Sequence, residues 1–219
     1  MATYTSIINS VLRRLREDEV AGPTSTDYST LIGDFVNETK REVEDAWKWQ
    51  ALRTTIPVTT ADGTTQYAIT GAGKRFRLQD RRNSVYDVTN KARIYPQSAA
   101  YLKQGLLENP DTGFPMSYYL EGFDSNQDPY INFYQTPGGV YTINIECIVP
   151  QADFTVGTEV LSVPDYPVLL GAYAKAIAER GEDDGRTHGE VLHKYGLALN
   201  DAISFDVASV DDSETNWYA

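Results

Sequence analysis

Apolar residues near the start of the chain recur with helical spacing. Ile7, Ile8, Val11, Leu12 and Leu15 fall on one face, with Thr3 or Thr5 placed to cap them. Ala21-Gly22-Pro23 breaks this helix. A longer one is expected from Thr26 or Asp27 to about Gln50, with the stripe Tyr28, Leu31, Ile32, Phe35, Val36, Val43, Ala46 and Trp47. Its other face is charged, and Glu44 and Lys48 stand at the favourable i,i+4 spacing. Trp47 completes the stripe and is the expected core anchor where this helix meets the β block. From about Thr54 the period changes from 3.6 to 2. Thr54–Thr60 and Thr65–Thr70 flank Asp62-Gly63, a hairpin signal. Short strands are expected at 76–79, 85–88, 92–95, 117–121 and 130–135, with a short helical turn at 98–104. In 141–149 the residues Tyr141, Ile143, Ile145, Cys147 and Val149 alternate with polar ones, as in a half-buried antiparallel strand. Helical spacing returns after Val163-Pro164. Leu169, Leu170, Tyr173 and Ile177 mark one helix, capped by Asp165 and ending at Gly181. Thr187 to Glu190 has capping-box spacing and opens a last helix with Val191, Leu192, Tyr195, Leu199, Ala202 and Ile203. The end of the chain, 207–219, has no period.

These elements predict an α+β protein. Residues 1–53 and 164–206 form a helical bundle from both ends of the chain. Residues 54–163 form an antiparallel β-sandwich or small barrel inserted between them, and 207–219 form an extended C-terminal arm.

Composition narrows the function. Of 219 residues, 41% are apolar, enough for a core of useful size. No apolar run approaches the roughly 18 residues that a membrane span needs, and the N-terminal sequence is not read as a leader peptide. One cysteine, Cys147, excludes an internal disulfide and any multi-cysteine metal site. The 31 acidic residues against 19 basic ones argue against a nucleic-acid binder with a broad basic face. The charge is uneven, however. Residues 74–103 hold eight basic residues, among them Arg75, Arg77, Arg81 and Arg82, and only two acidic ones. Residues 179–219 hold ten acidic and three basic. Such a basic region in an acidic protein is either a solvated face or a contact surface for an acidic partner, including a second copy.

Catalytic patterns fail. Gly71-Ala72-Gly73-Lys74-Arg75 looks like a phosphate loop, but the pattern needs Gly where Ala68 stands and Ser or Thr where Arg75 stands. His188 and His193 are five apart and face different sides of a helix. Cys147 lies on the apolar side of its strand, as an inert thiol does. The acidic cluster 182–184 lacks calcium-loop spacing. No enzyme activity, cofactor or metal is expected. The 15 tyrosines are more informative. Tyr118-Tyr119, Tyr130, Phe133-Tyr134 and Tyr141 fall in neighbouring strands. By alternation, half should be core and half should form an outer contact face. That pattern also suits a monomeric β-sandwich binding module for a glycan or a tail fibre.

The chain resembles the head-to-tail adaptor proteins of tailed bacteriophages, including the tail tubular protein A group. The likeness rests on element order and on several short stretches. These are Ala46-Trp47-Lys48-Trp49-Gln50-Ala51-Leu52 at the end of the long helix, Gly113-Phe114-Pro115-Met116-Ser117-Tyr118-Tyr119, and Tyr130-Ile131-Asn132-Phe133-Tyr134-Gln135-Thr136-Pro137. A strand from Tyr141 to Pro150 comes next, and Leu161-Ser162-Val163-Pro164-Asp165-Tyr166 leads into the closing helices. The resemblance implies a ring, commonly of twelve subunits, that sits below the portal, extends the DNA channel and docks the tail tube or nozzle protein. It places the protein at the head–tail junction of the virion, assembled in the host bacterial cytoplasm, without a membrane and without catalytic residues. It also implies a C-terminal arm on the portal, for which Trp217 and Tyr218 are the anchors. Arg75, Arg77, Arg81 and Arg82 are the expected subunit contacts. A ring of such acidic subunits would let DNA pass without binding it.

Overall fold

The structure, a computed structural model, describes residues 2–108, 112–181 and 186–209. The chain divides into a helical unit, residues 1–52 with 151–219, and a β unit, residues 53–150. Mixed helices and antiparallel sheets make it an α+β protein.

In the helical unit, α1 (Tyr4–Arg14) and α2 (Asp27–Ala46) each start on a capping box. Thr3 with Ser6 opens the first and Thr26 with Ser29 the second, so their first orphan N–H groups are satisfied by side chains. α4 (Asp165–Arg180) packs on α1 and α2, and α5 (Arg186–Ser209) packs on α4. Gly181, at φ 65°, ends α4 in the left-handed conformation that glycine adopts without penalty. Asp165 is the first residue of α4, but its side chain does not cap the helix; the N-cap is Pro164. α2 stops at Ala46, four residues short of the expected end. Trp47 turns to extended backbone at φ −146° and ψ 166°, and Lys48 therefore lies outside the helix that its pairing with Glu44 required.

Residues 151–163 were expected in the β block but belong to the helical unit. The reason lies on α2, whose residues 37, 40, 41 and 44 share one face and bind this segment like the missing strand of a sheet. Asn37 Oδ1 accepts from Phe154 N–H (2.8 Å) and its Nδ2 donates to Phe154 O (3.0 Å). Lys40 Nζ donates to the carbonyls of Gln151 (3.0 Å) and Ala152 (2.8 Å) and lies over the Phe154 ring. Arg41 pairs with Asp153, and Glu44 accepts from Gln151 N–H. Further along, the N–H groups of Tyr4 and Thr5 donate to Glu159 O and Gly157 O. No apolar periodicity announces such a segment, because polar side chains hold its backbone.

The β unit is two sheets over one core. β1 (Arg53–Thr59), β11 (Thr142–Ile148), β4 (Val85–Asp87) and β5 (Ala92–Arg93) adjoin in that order in the first, with β3 (Arg77–Leu78) also on β11. The second runs β2 (Gln66–Ala68), β9 (Pro129–Tyr134), β8 (Ser117–Phe123), β6 (Tyr95–Pro96). β7 (Thr112–Gly113) and β10 (Thr136–Pro137) form a separate pair. Val58, Val85, Ile143 and Ile145 of the first sheet meet Tyr118, Ile131 and Phe133 of the second. The alternation of Ile143, Ile145 and Cys147 is realised, all three fully buried.

Asp62-Gly63 makes a turn, with Gly63 at φ 73°. It does not close a hairpin: β1 pairs with β11 and β2 with β9, so the chain crosses between sheets there. Pro57 sits in the middle of β1. The Thr60 N–H bonds to Tyr141 O, so by alternation Pro57 turns its backbone to the open side of this terminal strand, where a missing N–H breaks no ladder. The expected turn at 98–104 is a helix, α3 (Ala99–Glu108), lying on β8 and β9.

Candidate interaction surfaces

The phosphate-loop likeness ends in a carboxylate. Gly71 and Gly73, at φ 84° and 67°, aim their N–H groups at the two oxygens of Asp128, at 2.9 and 2.8 Å. Two convergent N–H donors favour an anion, and here the buried Asp128 is that anion. His188 Nδ1 lies 2.9 Å from Ala174 O, joining α5 to α4. His193 is exposed. Burial, with a smaller contribution from Glu146, pushes the Cys147 thiol up to about 11, which keeps it protonated and unreactive at neutral pH. Among the described residues no group of three or more His, Cys, Asp or Glu could hold a metal ion. No described helix is long and apolar enough to cross a membrane.

The outer aromatic face expected of the β unit is largely filled. Tyr118, Tyr119 and Phe133 are buried, and Tyr130, Tyr134 and Tyr141 are half-buried. Helix α3 supplies the reason. Gly105 brings it against the Tyr134 ring, and Lys103 lies over Tyr119 while pairing with Glu121. The exposed aromatics of this unit are Tyr95, Tyr101 and Phe123 instead.

Of the two tryptophans that follow α2, the buried one is Trp49, 1% exposed, whose Nε1–H donates to Val43 O (2.6 Å). Trp47, expected as the core anchor, is half-buried, and its Nε1–H donates to Asp206 Oδ2 (3.0 Å). The exchange results from the early end of the helix. Once the backbone is extended at Trp47, positions 47 and 49 are no longer set by helical phase.

The basic residues separate into two groups. Arg75 and Arg77 are half-buried, Arg77 opposite Ile148 in the sheet. Arg81 and Arg82 are exposed on a rigid turn. Asp80 accepts from Arg82 N–H and Asn83 Nδ2, its own N–H donates to Ser84 Oγ, and the Tyr118 hydroxyl donates to Arg81 O. Arg93 joins them by donating to Asn83 Oδ1 (2.9 Å). Asp87 is fully buried and accepts from the N–H groups of Thr89 and Asn90, fixing the β4–β5 turn that exposes Val88 and Lys91. Among the described residues no carboxylate pairs with Arg81, Arg82, Lys91 or Arg93.

Sequence reasoning missed a groove of about 360 Å³ in the helical unit. Trp49, Leu161, Val163 and Phe205 give it apolar walls, and Asp165 and Asp206 stand on its lining. Phe205 is 81% exposed there. Its parts come from four separate stretches of chain, so no local pattern marks it. Residues 207–209, expected as the start of the arm, continue α5. Trp217, Tyr218 and the acidic cluster at 182–184 lie outside the described residues.

Charge divides as sharply as fold. The helical unit's sequence holds 22 acidic and 10 basic residues and the β unit's holds nine of each, so the whole formal charge of −12 belongs to the helical unit.

No curated protein matches the chain. A family model described as SU10 adaptor protein matches residues 2–216, nearly the entire sequence. That match covers well over half of the sequence, so the chain belongs to the SU10 adaptor protein family, adaptors of the bacteriophage virion.

Proposed function

We propose that this adaptor sits at the head–tail junction, forms a ring below the portal that extends the DNA channel, and docks the tail tube or nozzle protein. The observation that carries the reading is the family match over residues 2–216. The division of charge supports the ring. A closed ring needs two different, complementary faces on each subunit, and a unit of net charge −12 together with the exposed arginines of the β unit supplies both signs. Arg81 and Arg82, together with the half-buried Arg75 and Arg77, contact the acidic unit of the neighbouring subunit. Trp217 and Tyr218 anchor the C-terminal arm on the portal. The ring's strong negative charge leaves DNA free to pass, since phosphates gain nothing from an acidic wall. The adaptor carries no catalysis in this role and needs no cofactor.

The test is charge reversal. The double variant Arg81→Glu, Arg82→Glu keeps the wild-type melting temperature, because both side chains are exposed, and loses assembly onto the cognate portal. The wild type assembles better at low salt than at high salt, where screening shortens the range of the attraction. Assembly indifferent to both the reversal and the salt would reject this interface.

A further inference from the structure

The groove beside Trp49 asks for an occupant with an apolar group and a positive charge. Its walls are Trp49, Leu161, Val163 and Phe205, and two carboxylates stand beside them, Asp165 and Asp206, the second already accepting from the Trp47 indole N–H but able to accept further donors, in a unit that carries the entire net charge of the chain. The chain's own last ten residues follow α5 in the sequence. They carry Asp211, Asp212 and Glu214 with no cation, so like charge disfavours them. The β8–β9 turn of a second copy exposes Phe123, but between Glu121 and Asp124, and fails for the same reason. The exposed Tyr101 and Leu107 of α3 stand on a helix whose cation, Lys103, is already paired with Glu121.

Among the described residues, the β4–β5 turn meets both requirements. Between β4 and β5, Val88 is 48% exposed and is followed by Lys91, with Arg93 next on the strand. The buried Asp87 locks the turn through Thr89 and Asn90, so little conformational entropy is lost when it docks. Arg93 is tied to the turn bearing Arg82, so the cations at both ends of β4 belong to one braced stretch of chain.

We propose that the groove beside Trp49 receives the β4–β5 turn of a second copy of this chain, Val88 entering against Phe205 and Trp49 while Lys91 and Arg93 face Asp165 and Asp206. The inference rests on the ring reading and names the surface that receives the basic region. The contact is heterologous: each copy offers its turn to one neighbour and its groove to another.

Disulfide trapping between single variants tests it. Val88→Cys and Phe205→Cys, each in the Cys147→Ser background, are mixed in equal amounts at low salt and oxidised. Any bond between the two variants then joins different molecules. The proposal expects a cross-linked heterodimer several-fold above the yield of a control mixture of Phe123→Cys with Phe205→Cys, and expects high salt to remove the excess. A chain carrying both Val88→Cys and Phe205→Cys extends to trimers and longer ladders. A yield equal to the control overturns the proposal, as does a ladder that ignores salt. Unmodified protein mixed with the cognate portal separates the two levels: rings on the portal without the cross-link leave the adaptor role standing and sink this contact alone.

Discussion

Trp49 and Trp47 differ by one residue between them and by most of their burial. Trp49 is enclosed and hydrogen-bonded to Val43 O, whereas Trp47 is half-buried with its indole N–H on Asp206. Trp49→Ala is expected to destabilise by about 3–5 kcal/mol, the range for large aromatic deletions in a core. Trp47→Ala is expected to cost less, about 1–2 kcal/mol, mostly the hydrogen bond. Urea unfolding of both variants ranks them, and the reverse order would mean that the end of α2 is misread. Lys40 and Glu44 are both fully buried, 3.5 Å apart. Each also bonds the backbone of 151–152. Truncating Lys40 strands a buried carboxylate, so Lys40→Ala is expected to cost roughly 3–5 kcal/mol. The double change Lys40→Met, Glu44→Leu removes both charges together, and the same unfolding experiment is expected to return part of that loss. A double variant as damaged as the single one would assign the cost to the lost backbone bonds instead.

At the scale of elements, the legible parts were those with a strong period. α1, the body of α2, β11 and the two closing helices announce themselves by apolar spacing, and capping residues fix where they start. What stayed hidden has physical causes. The start of the segment 151–163 is held by polar side chains of α2, and its buried Phe154, Leu161 and Val163 follow no regular period. Asp62-Gly63 specifies a local turn, but which strands flank it is decided by pairing partners more than sixty residues away. The surfaces divided in the same manner. The exposed Arg81 and Arg82 are visible as a run of charge, while the groove beside Trp49 is assembled from distant stretches and cannot be seen in any one of them. The C-terminal segment gives the element-scale prediction. Residues 210–219 contain two large aromatics among acidic and small polar residues, too little apolar surface to contribute much to the fold. Deleting them is expected to leave the melting temperature nearly unchanged and to abolish or strongly weaken portal binding, with Trp217→Ala reproducing much of the loss. Binding of the truncated chain with wild-type affinity would dismiss the anchor.

For the whole molecule, the governing fact is that fold and charge divide along the same boundary. The helical unit carries the net charge of −12, and the β unit is neutral, with its exposed cations held on turns stiffened by aspartates. In the proposed ring, the acidic unit of one copy meets the cationic turns of the next. The repulsion between like-charged subunits opposes that ring and must be overcome by those contacts and by the portal. Salt screens the specific attraction and the general repulsion alike, and in the proposed contact the attraction, acting at shorter range, is the larger. The most direct test is electron microscopy of the cognate portal before and after adding the purified chain at moderate ionic strength. The account predicts one additional ring of density on the tail-facing side of the portal, coaxial with its channel and open along the axis. Portals that remain unchanged at saturating protein, or that gain density without an open axial ring, would contradict it.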